Sequence, residues 1–372
     1  MRTAIVSDLH LGLTSGGDVL RDPGVRRILL EEIGDADRVV LLGDVVELRE
    51  RPVGPALDAA RPFFEDLGET LGDREVTIVP GNHDHRFAEP LLDDRSLTDG
   101  AALGLEQTHD PSPGPTAVIE EWLGPARLRI AYPGLWLRDD VYATHGHYMD
   151  AHLNLPRAEC VAVATLLRLS RPLPSVATAA DYERVLRPLY GFSYGVAQAR
   201  PARVAGRRRE PSEAAWELLA GNDEGLGRGR RLSRAAIRGG FPAGIWALNR
   251  LLHSSFEADV SAGAIFRAGV SAAAEMATRL QVGDVQVITG HSHRGGPVGG
   301  EADWPLAGGG RLHNTGSWVF SSPFHHPGKP PNSYWPGTVT WVENGEAPRR
   351  VQLLLERSHA DLAELVSRAS RR

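Results

Sequence analysis

Apolar positions in the first third of the chain follow two alternating periods. Short β-branched runs at Thr3–Ser7, Arg38–Leu42 and Val76–Val79 predict strands, while Val25–Ile33 and Ala56–Leu71 carry apolar residues at helical spacing. Alternation of strand and helix predicts a parallel, buried sheet. Thr108–Pro115, with three prolines and a glycine, predicts a loop before a short helix at Ala117–Trp122. Leu128–Ala131 and Val141–Thr144 predict two further strands joined by a turn at Pro133-Gly134.

From Ala151 to about Glu275 the strand-like runs vanish. Helical spacing recurs in Val161–Leu169, Tyr182–Tyr194, Ala214–Leu219, Leu232–Leu252 and Ala262–Met276. The strand pattern resumes at Val285–Thr289, Leu312–Asn314, Thr338–Val342 and Val351–Leu355, and an amphipathic helix at Ala360–Val366 follows. The expected architecture is a layered α/β fold, central β-sheets flanked by helices, with a core of residues 1–150 and 276–372 interrupted by a helical cap insertion over 151–275.

Composition narrows the chemistry. The 372 residues are 42% hydrophobic and 24% charged, which excludes a disordered or fibrous chain despite 41 Gly and 26 Pro. Cys160 is the sole cysteine, so an internal disulfide and a thiolate metal site are both excluded, and any metal must be held by His, Asp, Glu or Asn. The apolar run before Ser7 is too short for a signal peptide, and Phe241–Leu252, broken by Pro242, Asn249 and Arg250, falls short of the ~20 residues a membrane span needs. A cytoplasmic location is the expectation. Lys329 is the sole lysine, so the basic charge is almost all arginine. The insertion has a formal balance of +6 and the remainder −12, so the two differ electrostatically.

Five motifs place metal-binding side chains just after predicted strands: Asp8-Leu9-His10, Gly43-Asp44-Val45-Val46-Glu47, Gly81-Asn82-His83-Asp84, His145-Gly146-His147 and Gly290-His291-Ser292-His293. Ligands of open α/β sheets gather outside the carboxyl ends of the strands, where all five fall. Side chains two apart on extended backbone point the same way, so Asp8 and His10 can converge on one ion. Asp8, His10, Asp44, Asn82, His145, His291 and His293 are the candidate ligands. Seven exceed the needs of one transition metal, and two ions sharing a carboxylate ~3.5–4 Å apart account for the count. Mixed imidazole and carboxylate ligation suits manganese, iron, zinc, cobalt or nickel better than calcium or magnesium.

In order and spacing the five motifs resemble the signature of the calcineurin-like metallophosphoesterase superfamily, over roughly residues 1–150 and 280–356. The resemblance implies the metallophosphoesterase fold and a metal-dependent phosphoric ester hydrolase. It implies that Asp8, His10, Asp44 and His293 hold one cation and Asp44, Asn82, His145 and His291 a second, with Asp44 as bridge and manganese as the first choice of metal. It further implies in-line attack on phosphorus by a hydroxide bridging the two ions. His83 would then stabilise the transferring phosphoryl group or protonate the leaving oxygen, with Asp84 fixing its orientation. Glu47 reads as a residue that supports a ligand or opens a helix, and His147 as structural or, if the backbone past His145 stays extended, as a residue that reaches substrate. Asn314-Thr315-Gly316-Ser317-Trp318 reads as scaffold. The remaining histidines, His109, His152, His253, His313, His325, His326 and His359, read as structural.

The insertion lies between the fourth and fifth motifs, so a cap over the site is its expected geometry. This placement is similar to that of the UDP-2,3-diacylglucosamine pyrophosphohydrolases, although the chain has His83 where those enzymes carry Arg and His147 where they carry Asp. The expected substrate is a small-molecule or amphiphilic phosphate monoester, diester or pyrophosphate. Arg200–Arg209 and Arg228–Arg238, interleaved with Phe192, Tyr194, Phe241 and Trp246, suit substrate phosphates or peripheral membrane contact, with a solvated helix face as the plainer reading. Nucleic acid is the poorly supported partner, because the chain is acidic overall, at −6, and carries no recognised nucleic-acid module. The competing class is a non-catalytic scaffold on the same fold.

Overall fold

The computed structural model describes residues 1–97, 103–199, 228–299, 301–321 and 332–369. Its strands are β1 (Thr3–Val6), β2 (Arg38–Leu41), β3 (Glu75–Ile78), β4 (Glu106–His109), β5 (Arg127–Arg138), β6 (Val141–Thr144), β7 (Gln286–Thr289), β8 (Trp304–Pro305), β9 (Arg311–Asn314), β10 (Thr338–Val342) and β11 (Arg349–Gln352). Its helices are α1 (Pro23–Ile33), α2 (Val53–Leu71), α3 (Glu89–Leu97), α4 (Pro115–Leu123), α5 (Ala158–Leu169), α6 (Ala179–Gln198), α7 (Arg228–Leu252), α8 (Ala262–Arg279) and α9 (His359–Ala369).

The strands form one continuous sheet in the order β11-β10-β1-β2-β3-β5-β6-β7-β9-β8, with β4 on β5. The predicted parallel run holds from β1 through β3 into the first half of β5, and again from β6 through β7 to β9. Period-two alternation explains the layering. Ala4, Val6, Val39 and Leu41 join the cluster under α1, α2 and α4, while Ile5, Val40 and Leu42 turn the other way to meet Ala143 and Ile288. The sheet curls until its two halves face each other across that second set, with helices on both outer faces. α2 shows what holds a layer: Ala56, Ala60, Phe63, Phe64, Leu67 and Leu71 are buried on one stripe, with the larger side chains contributing roughly 1.5–3 kcal/mol each.

Two elements depart from the sequence reading. β5 does not stop at Ala131. It runs through Pro133-Gly134 and turns at Asp139 and Asp140. Pro133 is accommodated because β5 changes partners there, from β3 to β6, and β4 pairs across it with a shifted register, so no ladder hydrogen bond is required of its missing N–H. β4 itself occupies part of the predicted loop.

The helices between β6 and β7 share one apolar cluster with the sheet: Tyr132, Tyr142, Val287 and Leu312 pack with Val163, Tyr182, Leu186 and Met276. α6 begins with a reciprocal cap in which Thr178 N donates to Asp181 Oδ2 (2.9 Å) and Asp181 N to Thr178 Oγ1 (3.3 Å). Ala214–Leu219 and Arg200–Arg209 lie outside the described residues, and Arg228–Arg238 forms the first half of α7. No helix among the described residues is long and apolar enough to cross a membrane.

Candidate metal centre

All seven candidate ligands meet at one edge of the sheet. Three overlapping groups have ligand atoms mutually within 4.8 Å: Asp8, His10 and His293; His10, Asp44 and His83; Asp44, His145 and His291. His10 Nε2 lies 3.1 Å from His293 Nε2 and 3.6 Å from Asp44 Oδ2, and His145 Nε2 lies 3.1 Å from the same Asp44 oxygen. His293 Nε2 is 3.3 Å from Asp8 Oδ1. Asn82 joins through His291 Nδ1, 3.1 Å from its amide oxygen.

Asp8 and His10 do converge, but not by extended alternation. Asp8 (φ 53°), His10 (45°), Asp44 (51°), His291 (66°) and His293 (58°) are all left-handed, a region non-glycine residues rarely adopt. Backbone hydrogen bonds hold these turns, from Asp8 N to Gly43 O (3.0 Å), His10 N to Asp44 O (2.8 Å) and Gly290 N to His145 O (3.0 Å). Close approach also demands glycine. A Cβ on Gly43 (φ 79°) would strike the His145 ring and sit 2.7 Å from His145 Cβ, and one on Gly81 would strike Asp44 Oδ1.

Each inner imidazole is aimed by an acceptor on its other nitrogen. His10 Nδ1 is 2.9 Å from Glu47 Oε2, His145 Nδ1 is 2.9 Å from Leu42 O, and His291 Nε2 is 2.9 Å from Asp150 Oδ1. Asp44 Oδ1 accepts from His83 N at 2.8 Å, which leaves Oδ2 for the cluster. The scaffold segment contributes as expected: Ser7 Oγ contacts Asp8 Oδ2 and Thr315, and Asn314 Nδ2 donates to Gly290 O at 2.6 Å.

Burial would raise every carboxylate here, yet at four of them the imidazoles prevail. Asp8 (beside His293), Asp44 (beside His145 and His83), Glu47 (beside His83 and His10) and Asp150 (beside His291) all lie below their ordinary values. Burial would likewise lower the imidazoles, but Glu47 and Asp44 raise His10 to about 10, and Asp44 raises His145 to about 9.

The role of Asp84 differs from expectation. Asp84 does not orient His83. Its oxygens accept from Gly81 N (2.7 Å), Val45 N (2.7 Å) and Asp44 N (3.2 Å), bracing the second motif against the third, and burial beside Asp44 pushes it up to about 6. Glu47 takes the orienting part: His83 Nδ1 lies 2.7 Å from Glu47 Oε2. His147 is not at the cluster surface. Gly146 is left-handed (φ 96°), which breaks the extended backbone, and His147 is buried with Nε2 3.1 Å from Tyr132 Oη.

Sequence reasoning missed Asp150, which sits one helical turn past His147, and Arg49, two residues past Glu47. It also missed a buried network under the site. Glu183 of α6 lies 3.0 Å from His85 Nε2 and accepts from Tyr148 Oη (2.6 Å) and from Tyr132 Oη. Of the histidines read as structural, His152 pairs with Tyr182 Oη (2.7 Å) and His313 with Gln286 (2.7 Å), while His325 and His326 lie outside the described residues.

The family model of the calcineurin-like phosphoesterases matches residues 1–188. The chain belongs to the calcineurin-like phosphoesterase family. No curated protein matches it. The matched span carries the first four of the phosphoesterase motifs and runs into α6. The fifth, Gly290 to His293, lies beyond that span and reaches the site because β7 is parallel to β6.

The donor set fits a divalent metal. One amide atom of Asn82 faces His291 Nδ1 (3.1 Å) and Asp44 Oδ2 (3.2 Å) and the other faces Arg49 Nη1 (2.7 Å), so in either amide orientation Asn82 stands among the candidate ligands. Carboxylate, imidazole and amide donors with buried supporting acceptors are the ligand chemistry of divalent transition metals.

Proposed function

We propose that this phosphoesterase hydrolyses a phosphate monoester, diester or pyrophosphate of a small or amphiphilic molecule with two divalent transition-metal ions, manganese foremost. The observation that carries this reading is the convergence of ligand-type side chains from five separate segments into three groups linked by His10 and Asp44, which Asn82 joins through His291. Asp8, His10, Asp44 and His293 would hold one ion, and Asp44, Asn82, His145 and His291 the other. Bound there, the ions supply a water acidified towards neutral pH and positive charge for the phosphoryl oxygens.

The protein's own residues supply the rest. His83 is partly exposed beside the cluster, with Nδ1 on Glu47 and Nε2 3.5 Å from Arg49 Nη1. Glu47 stabilises the imidazolium, so His83 Nε2 is set to give a proton to the leaving oxygen. Arg49 brings a permanent positive charge to the same edge, where phosphoryl oxygens would lie.

The test is hydrolysis of an aryl phosphate and a bis-aryl phosphate by manganese-loaded protein, with bound metal measured by elemental analysis. Asp44→Ala should lose both turnover and metal. His83→Ala should keep its metal and lose roughly 10²–10⁴ in rate, the typical contribution of a positioned proton donor. Full activity in Asp44→Ala would overturn the site assignment. A folded protein that cannot be loaded with metal would favour the non-catalytic scaffold instead.

A further inference from the structure

A cleft of about 570 Å³ opens from the metal centre between the third motif and α6. Asn82 and His83 form one end, His85 and Arg86 one wall, and Arg184, Arg187, Tyr190 and Tyr194 of α6 the other. This volume lies within the usual range of small-molecule sites.

The charge on the lining is unevenly spent. Of its two carboxylates, Glu183 is engaged by His85 and two tyrosines, and Glu89 by His85 (3.3 Å) and Arg187. Arg187 also pairs with Asp93, so it too is committed. Arg86 and Arg184 both line the cleft, are exposed and have no carboxylate partner among the described residues; Arg184 Nη1 lies 3.4 Å from Ser170 Oγ. Arg86 is positioned by the Tyr194 ring, 5.7 Å from its centroid. Arg49, at the inner end, is mostly buried; Nη1 lies 2.7 Å from the Asn82 amide and Nη2 3.5 Å from Glu159, while its Nε has no hydrogen-bond partner. The Tyr190 hydroxyl is likewise buried without a partner. Three guanidinium groups with donors to spare, and a hydroxyl, therefore line a cleft whose acids are already neutralised.

We propose that this cleft binds a second phosphate group of the substrate, drawn in by the positive charge of Arg86 and Arg184 on its lining, while the scissile phosphate lies at the metal centre beside Arg49. The substrate class is then an organic bisphosphate, or a phosphodiester bearing a further phosphate. This assignment rests on the phosphoesterase reading for the scissile end alone. Guanidinium–phosphate pairs are charge-assisted and bidentate, so two of them confer at least tenfold in affinity on the doubly phosphorylated ligand.

The experiment compares the monophosphates and bisphosphates of 1,3-propanediol and 1,6-hexanediol, which sample the length of the cleft. Calorimetric binding to the full manganese-loaded chain and phosphate release are both recorded. At least one bisphosphate should bind tenfold or more tightly than its monophosphate, and Arg86→Gln/Arg184→Gln should bring that ratio close to one. Arg27→Gln/Arg61→Gln, which removes equal charge from α1 and α2, should leave it intact. Equal affinity for mono- and bisphosphates, or a preference that survives the Arg86/Arg184 substitution, overturns the proposal. An arginine-dependent binding preference without phosphate release would sustain the cleft and count against hydrolysis of these esters.

Discussion

Glu47→Gln isolates the part played by one buried carboxylate. Glu47 Oε2 lies 2.9 Å from His10 Nδ1 and 2.7 Å from His83 Nδ1, and Oε1 accepts from Arg49 N (3.0 Å) and Glu50 N (3.1 Å). A carboxamide cannot serve both sides. With its nitrogen towards the backbone, two N–H donors are left without acceptors, at about 1–3 kcal/mol each. With its nitrogen towards the histidines, the backbone bonds survive, but Nδ1 of each ring must become an acceptor and its proton move to Nε2. On His10 that proton points at His293 Nε2 and Asp44 Oδ2 and covers the lone pair a metal needs. The second arrangement is cheaper for folding, so the loss falls on ligation. Supporting acceptors of this kind are worth about 10–100-fold in metal affinity, or roughly 1.4–2.7 kcal/mol. Manganese titration by calorimetry, alongside circular dichroism to establish that the variant is folded, reads this directly. Unchanged manganese affinity in folded Glu47→Gln would refute the claim that Glu47 sets the tautomer of His10.

Two further predictions concern neighbouring features. In Gly81→Ala the new Cβ would meet His145 Cδ2 at 2.6 Å and Asp44 N at 2.7 Å, so metal content should fall together with a stability loss of about 1–3 kcal/mol, whereas Gly54→Ala on α2, with open space around it, should be harmless; a fully loaded Gly81→Ala would contradict the packing argument. His85 is lowered by burial but raised further by Glu183 and Glu89, to about 9 against an ordinary 6.5, so its contribution to stability is complete below about pH 6.5 and fades as pH rises towards 9. Wild type should therefore exceed His85→Gln by on the order of 3 kcal/mol at pH 6, with the gap closing by pH 9 to 10; a pH-independent gap in denaturant titrations would show that the ion pair is not its source.

The sequence alone determined the alternation of strand and helix, the place where the helical segment interrupts it, and the identity of the candidate ligands. Those are local properties: period, chain order and residue type. It also suggested the wrong geometry for one pair, since Asp8 and His10 converge through left-handed turns rather than extended backbone. Glu47 supports His10 as expected and also takes the orienting part read for Asp84, because residue type does not reveal which donors a buried carboxylate faces, and Asp84 meets backbone N–H groups that no side-chain pattern records. His147 left the surface because a single glycine torsion redirected the chain. Tertiary structure alone decided the rest: the Glu183 network that ties α6 to His85, Tyr132 and Tyr148, and the arginines at 49, 86 and 184 on one cleft. These join residues roughly 30 to 135 positions apart, and the free energy that selects them comes from burying charges only where partners wait, a condition met in space and not along the chain.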